Sequence, residues 1–301
     1  MNFIALLLGL GVERLLTDLF HLREFRWLDP LFDAVSGRAK QAPLWRSAVS
    51  VVALTVLTVL PVALVSVLLA ETLFQIPYFV LAVVVLLFSL GPRDLQIEVD
   101  DYCAAVTDDR EDDVQRVTRE LLENDSPVDP ESHISAIRRA VFVQANNRVF
   151  AVVFWFLLLG PTGAWLFRVL DLMRRRLAYE YSRNEGQISA SSYVLVVRSL
   201  HGIFAWLPAR LLVLGYALAG GFEGAVSAWR AYDPDPGKQF FQVTNDVLDH
   251  VGNGASGESL PADDVPPAVT RVRDAMSLAH RTLWLIWCPA IAVLTLTDLV
   301  T

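Results

Sequence analysis

Hydrophobic positions along this chain gather into long uninterrupted runs, and the runs predict the elements. Ser47 to Ala70 carries no charged residue, nor does Thr72 to Pro92, Val149 to Phe167 or Thr282 to Thr297. A helix crosses a bilayer with about 17–25 apolar residues, a length the first two runs meet outright. The linker between them, Glu71 to Gln75, is short enough to predict a helical hairpin. The third run holds Gly160-Pro161-Thr162-Gly163 in its middle, and the next apolar segment, Ser199 to Phe222, holds Pro208 and Arg210. Proline removes a backbone donor and clashes with the preceding turn. At least one of these two segments is therefore expected to be broken, at Gly160-Pro161 or at Pro208. Broken backbone at membrane depth survives only when buried in protein or lining a cavity. The last run predicts a C-terminal span over about Leu283 to Val300. Asn2 to Phe20 reads as a retained apolar helix at the interface, because it lacks the basic start and small-residue cleavage site of a signal peptide.

Two polar regions separate these runs. Arg93 to Arg148 holds fourteen acidic and seven basic residues. Within it Val114, Val117 and Leu121 recur at helical spacing. Asn124-Asp125-Ser126-Pro127 ends that helix, and a new one starts near Asp129-Pro130, with proline at a favoured early position. It continues through Ile134, Ile137 and Val141 into the third run. The acidic stretch Asp108 to Asp113 reads as a solvated charged face. The second polar region, Glu223 to Arg281, predicts an amphipathic helix carrying Phe240, Phe241, Val247 and Leu248, then a flexible loop from Gly252 to Pro267. No internal repeat is visible.

The fold class that follows is an all-α integral membrane protein: a spanning hairpin, broken or re-entrant membrane helices, a C-terminal span and cytoplasmic helical inserts. The segments divide as 1–46 (N-terminal interfacial helix and basic segment), 47–92 (hairpin), 93–148 (acidic insert), 149–222 (broken membrane-embedded helices), 223–281 (helical region with loop) and 282–301 (C-terminal span).

Composition agrees. The chain is 54% hydrophobic and 19% charged with mean hydropathy +0.42, where soluble domains carry roughly a quarter charged residues. Its net charge of −8 argues against nucleic acid as a partner. Lysine and arginine near the spans set orientation. Arg23, Arg26, Arg38, Lys40 and Arg46 precede the first run and place that end in the cytoplasm. The third run is basic at both ends, with Arg148 before it and Arg168 and Arg174 to Arg176 after its break, which a re-entrant path satisfies. Cys103 and Cys288 form no disulfide or metal pattern and read as reduced thiols. No phosphate-binding loop, dinucleotide fingerprint, zinc spacing or serine elbow is present, so no cofactor and no metal is expected.

Candidate chemistry is confined to polar residues at the broken segments. Asn146, Asn147 and Arg148 precede the third run, Arg168 and Asp171 follow its break, and Trp206, Pro208 and Arg210 mark the fourth. Arginine grips carboxylate or phosphate through a planar fork. An arginine at bilayer depth costs at least ~2.5–3.5 kcal/mol on insertion scales, so Arg210 needs compensation. Asp171 and Glu13 are the candidate acids, and a salt bridge to either would make Arg210 purely structural. Against few acids stand three cations, Arg148, Arg168 and Arg210. The expectation is one cytoplasm-facing anion site lined by Asn147, Arg148, Arg168, Asp171, Trp206 and Arg210, taking an anionic small molecule or a phospholipid headgroup. Headgroup binding or topology alone accounts for the same arginines. Membrane lipid is a partner, and the sequence is compatible with a homo-oligomer.

Phe154-Trp155, Gly160-Pro161-Thr162-Gly163-Ala164, Leu166-Phe167-Arg168 and Trp206-Leu207-Pro208-Ala209-Arg210-Leu211 resemble motifs of the membrane-bound adenosylcobinamide-phosphate synthases, in the same order and at comparable spacing. Glu13-Arg14-Leu15, Trp27-Leu28-Asp29 and Gly215-Tyr216-Ala217-Leu218 make the chain look more like the other branch of that superfamily, the AmpE proteins. That resemblance implies a protein of the bacterial inner membrane: a signalling modulator connected with β-lactamase induction and cell-wall metabolism. The synthase branch carries acidic residues before its Phe-Trp and paired aspartates before its Trp-x-Pro-Ala-Arg. This chain has Val143-Gln144 and Asn147-Arg148 at the first place and His201-Gly202 and Ala205 at the second. ATP-dependent amide formation needs carboxylates for magnesium, so the amide-forming activity carries over poorly and a non-enzymatic modulator is the expectation. An amide-forming synthase is the alternative. Transport of a muropeptide-like solute fits less well with few spans and a large polar fraction.

With Cys103 and Cys288 replaced, single cysteines in 93–148 and 223–281 are expected to resist an impermeant reagent in intact cells, and one near 71–75 to react. Labelling of the acidic insert from outside would overturn the topology.

Overall fold

The computed structural model describes residues 28, 30–34, 43–70, 76–90, 95–123, 129–183, 191–257 and 266–289. The N-terminal helix expected over Asn2 to Phe20, the hairpin tip and most of the C-terminal span lie outside the described residues. Every long described element is helical, with no strand among the described residues. In chain order these are α1 (Leu44–Ala70), α2 (Ile76–Ser89), α3 (Leu95–Thr107), α4 (Glu111–Leu122), α5 (Pro130–Ala145), a π-helical turn (Asn146–Phe150), α6 (Ala151–Arg183), α7 (Ser192–Ala219), α8 (Phe222–Ala231), α9 (Phe240–Ser256), α10 (Pro267–Arg281) and a second π-helical turn (Thr282–Trp287). Three stretches are long and apolar enough to cross a bilayer: Leu44–Ala70, Pro130–Glu180 and Ser192–Ala219. α2 has 14 described residues, about 21 Å at 1.5 Å per residue, against a hydrocarbon core of about 30 Å.

The chain forms two compact units. One is residues 1–92 with 151–204, the other 93–150 with 205–301. The acidic insert and the later polar region, read separately along the sequence, therefore belong to one unit.

In the first unit, α1 and α2 pack on α6. α1 buries one face, at Ser47, Val51, Leu54 and Thr55, and leaves Val49, Val52, Val56, Leu60 and Leu64 at least half exposed. Such a continuous exposed apolar surface fits a lipid environment. Leu54, Val169, Leu170 and Met173 share the core with Phe32 and Val194. The Trp165 indole donates to the Thr58 carbonyl at 3.0 Å.

The two proline-bearing segments behave differently. α6 is interrupted at Gly160, whose φ of 64° and ψ of −152° lie outside any helix, in a region that is essentially glycine-only. α7 runs through Pro208 without a break. Pro208 lacks the N–H that would bond the carbonyl four residues back, that of Phe204. The Trp155 indole Nε1 donates to that carbonyl at 2.9 Å, so the orphaned acceptor is satisfied and the helix continues.

The second unit follows its local signals closely. α4 starts with Glu111, Asp112 and Asp113 and has Arg119 in its last turn, charges that complement the helix dipole. It ends at Glu123 in the left-handed conformation, whose N–H donates to the Arg119 carbonyl. Asp129 caps α5 by accepting from the Ser132 N–H at 2.9 Å, with Pro130 in the first turn. The expected loop from Gly252 is corrected: Gly252 to Ser256 complete α9. Small residues here permit close helix packing. A Cβ on Gly224 of α8 would overlap the Gly254 carbonyl of α9, and one on Gly252 would meet the Phe142 ring at 2.8 Å.

Trp155→Phe leaves the Phe204 carbonyl without its donor and is expected to cost about 1–3 kcal/mol. Gly160→Ala, strained and 3.0 Å from the Tyr78 hydroxyl, is expected to cost ~1–3 kcal/mol. Thermal unfolding in detergent measures both, with the exposed Trp45→Phe as an unshifted reference.

Candidate functional site

The six sequence-designated site residues fall in both units: Arg168 and Asp171 in the first, Asn147, Arg148, Trp206 and Arg210 in the second. Each group has its own environment.

Asp171 is fully buried on α6 and gathers cations from its own helix turn. Arg168 Nη1 lies 3.2 Å from Asp171 Oδ2, Arg175 Nε 3.0 Å from the same oxygen and Arg174 Nη2 2.7 Å from Oδ1. His201 Nε2 of α7 stands 3.6 Å from Oδ1, its ring tilted against Phe167 at 5.3 Å. Arg168 is 1% exposed. Spacings of three and four residues put these groups on one helix face. A buried carboxylate shared by three guanidiniums of its own helix is a structural ion cluster, because removing the acid would strand buried charge.

In the second unit, Arg148 and Asn147 sit on the π-helical turn and are buried, at 2% and 4% exposure. Arg148 Nη1 pairs with Glu98 of α3 at 2.8 Å, and its Nε donates to Gln144 Oε1 at 3.2 Å. Gln144 in turn donates to the Leu121 carbonyl. Arg148 thus joins α3, α4 and α5 through one buried polar network. The Asn146 amide reaches Asn147 Oδ1 at 3.4 Å. Sequence reasoning missed Glu98 as the partner. Its sole signal was an acid flanked by Ile97 and Val99 in the acidic insert.

Arg210 differs from both. Its guanidinium carbon lies 5.8 Å from the Trp206 ring centroid and 5.7 Å from that of Trp229 on α8. Within its unit, among the described residues, no carboxylate pairs with it. Of the two acids expected to compensate it, Glu13 lies outside the described residues, and Asp171 engages the cluster on its own helix. Trp206 also stacks on Phe240 at 6.3 Å. Trp229 carried no sequence signal, since it meets Arg210 from another helix.

A further cluster surrounds Asp246 of α9, which is 2% exposed. Arg139 Nη2 approaches at 2.6 Å and Lys238 Nζ at 2.7 Å, and the Tyr232 hydroxyl donates at 3.4 Å. Burial pushes this carboxyl up. The Lys238 and Arg139 hydrogen bonds and charges more than offset that and hold it below the usual range. Cys103 is buried, and its thiol is pushed up chiefly by burial, as for an unreactive structural thiol. Among the described residues no three His, Cys, Asp or Glu side chains are grouped to hold a metal.

Apolar helices of bilayer length, bearing charges that are buried and paired, define this as a helical membrane protein. The chain belongs to the AmpE family: the family model described as regulatory signalling modulator protein AmpE matches residues 1–300. It is also similar to curated proteins named cobalamin biosynthesis protein CobD. It is 27% identical to that of Stutzerimonas stutzeri over 69% of this chain and 64% of the relative. It is 27% identical to that of Chromobacterium violaceum over 57% and 54%. A probable CobD of Thermococcus kodakarensis is 32% identical over 49% and 47%. The chain thus spans about half to two-thirds of the length of these relatives. No solved structure matches.

Glu98→Ala leaves Arg148 as a buried unpaired cation and is expected to cost about 3–5 kcal/mol. The double variant Glu98→Leu with Arg148→Met is expected to recover most of that loss in the same unfolding measurement. A double variant no more stable than Glu98→Ala would show that the pair is not the linchpin of this network.

Proposed function

We propose that this protein is a signalling modulator of the bacterial inner membrane that couples cell-wall metabolism to β-lactamase induction, and that it works by binding an anion at Arg210 on its cytoplasmic side. The observation that carries the first part is the family match over residues 1–300 to a regulatory signalling modulator. The second part is supported by charge. Arg148 and Arg168 have carboxylates in contact, whereas Arg210 has two indole faces. A guanidinium so held keeps its in-plane donors available to a phosphate or carboxylate. A multi-pass arrangement with a hairpin ahead of a re-entrant α6, broken at Gly160, and with both polar regions facing the cytoplasm, belongs to the same proposal. It is supported by the basic flank before α1.

The CobD relatives support a second reading, an amide-forming synthase. Asn147-Arg148 and His201-Gly202 stand where that chemistry calls for magnesium-binding carboxylates, and on this ground the modulator is preferred.

The test is a deletion strain complemented at matched membrane levels and challenged with a β-lactam. Arg210→Ala is expected to behave like the deletion. Arg210→Lys, which keeps the charge and loses the planar fork, is expected to fall between it and wild type. Full induction by Arg210→Ala would overturn the role of Arg210, and an unaltered deletion strain would overturn the modulator reading itself.

A further inference from the structure

We infer that the anion held at Arg210 is the phosphate of an anionic phospholipid, drawn from the membrane and not from solution; this rests on the anion-binding reading above. Three features of the second unit converge. First, Arg210 is half-buried on an apolar helix, is flanked by the indole faces of Trp206 and Trp229, and among the described residues of its unit pairs with no carboxylate. Second, the helix face beside it is bare hydrocarbon. Leu207, Leu211, Leu214 and Leu218 are 41%, 38%, 55% and 64% exposed. At 100° per residue they form a stripe whose edge carries Arg210, while Ala209, Leu212, Val213 and Tyr216 turn inward and are buried. Third, the indoles flanking the guanidinium are themselves 38% and 44% exposed. Tryptophan with one apolar and one wet side belongs at headgroup level.

A soluble anion would need a polar cleft, whereas the exposed surface of α7 beside Arg210 is tryptophan and leucine. A phospholipid complements each part. Its phosphate takes the guanidinium fork in a charge-assisted, bidentate contact, and its acyl chains cover the leucine stripe. The indole faces hold the guanidinium by cation–π attraction and screen the contact from water, which strengthens it.

The experiment titrates the purified full-length protein in detergent with phosphatidylglycerol or phosphatidylcholine and follows bound lipid by native mass spectrometry. Wild type is expected to retain phosphatidylglycerol in preference to phosphatidylcholine. Arg210→Ala should weaken it by roughly tenfold or more, as for a lost hydrogen bond to a charged group, and Arg210→Lys and Trp229→Leu by less. Arg116→Ala, an exposed residue ion-paired on α4, is the reference and should bind as wild type. Excess inorganic phosphate should not displace the lipid.

Unchanged phosphatidylglycerol binding by Arg210→Ala overturns the proposal, as does displacement by phosphate, which would mark a site for free anions. If Arg210→Ala does not survive purification, equal binding by the milder Arg210→Lys and Trp229→Leu variants overturns it as well. Lipid binding and induction are separate readouts. A variant that loses lipid but induces normally leaves the lipid site standing and removes its signalling role. One that loses induction but keeps lipid does the reverse.

Discussion

Charge compensation at short range is the constraint this structure depends on. A buried arginine on an apolar helix needs a nearby group to offset its desolvation, because unpaired charge in a low-dielectric interior is too costly to persist. Asp171 meets that demand in the first unit by serving Arg168, Arg174 and Arg175 at once. Glu98 meets it in the second by pairing with Arg148. The Glu98–Arg148 pair also ties two elements together, since rotating either by one residue would separate donor from acceptor, whereas the Asp171 cluster is satisfied largely within α6.

The same rule governs the backbone. Pro208 would leave the Phe204 carbonyl unsatisfied in an apolar setting, and the Trp155 indole meets it. The Phe-Trp and Trp-x-Pro-x-Arg motifs are thereby physically linked, one supplying the donor that the other's proline removed. Gly160 shows the opposite outcome: its positive φ breaks α6, where a glycine bears the strain without a Cβ.

Arg210 stands apart because its compensation is aromatic. Two indole faces attract a guanidinium without neutralising it, so the charge remains available. Arg148 and Arg168 are tied into the fold by carboxylates, whereas Arg210 lies between two indole faces, a difference set by tertiary environment.

Much was determined by the sequence itself. The charge-free runs set the location of α1 and α6, the Asp129-Pro130 pair started α5, the charge order of α4 followed its dipole, and the departure from helix at Gly160 was marked by Gly-Pro. These are local effects, in which the chemistry lies within a turn or two of the residue concerned. Tertiary structure alone decided the rest. Glu98 lies fifty residues before Arg148, Trp229 nineteen after Arg210, and Trp155 forty-nine before Phe204. Gly252 and Gly254 carry a loop signal in the sequence, yet they sit in α9 with Phe142 and Gly224 packed against them. Ion pairs, cation–π contacts and close packing act through space over a few ångströms, so the order of residues along the chain does not reveal which charges are matched by carboxylates and which by aromatic faces.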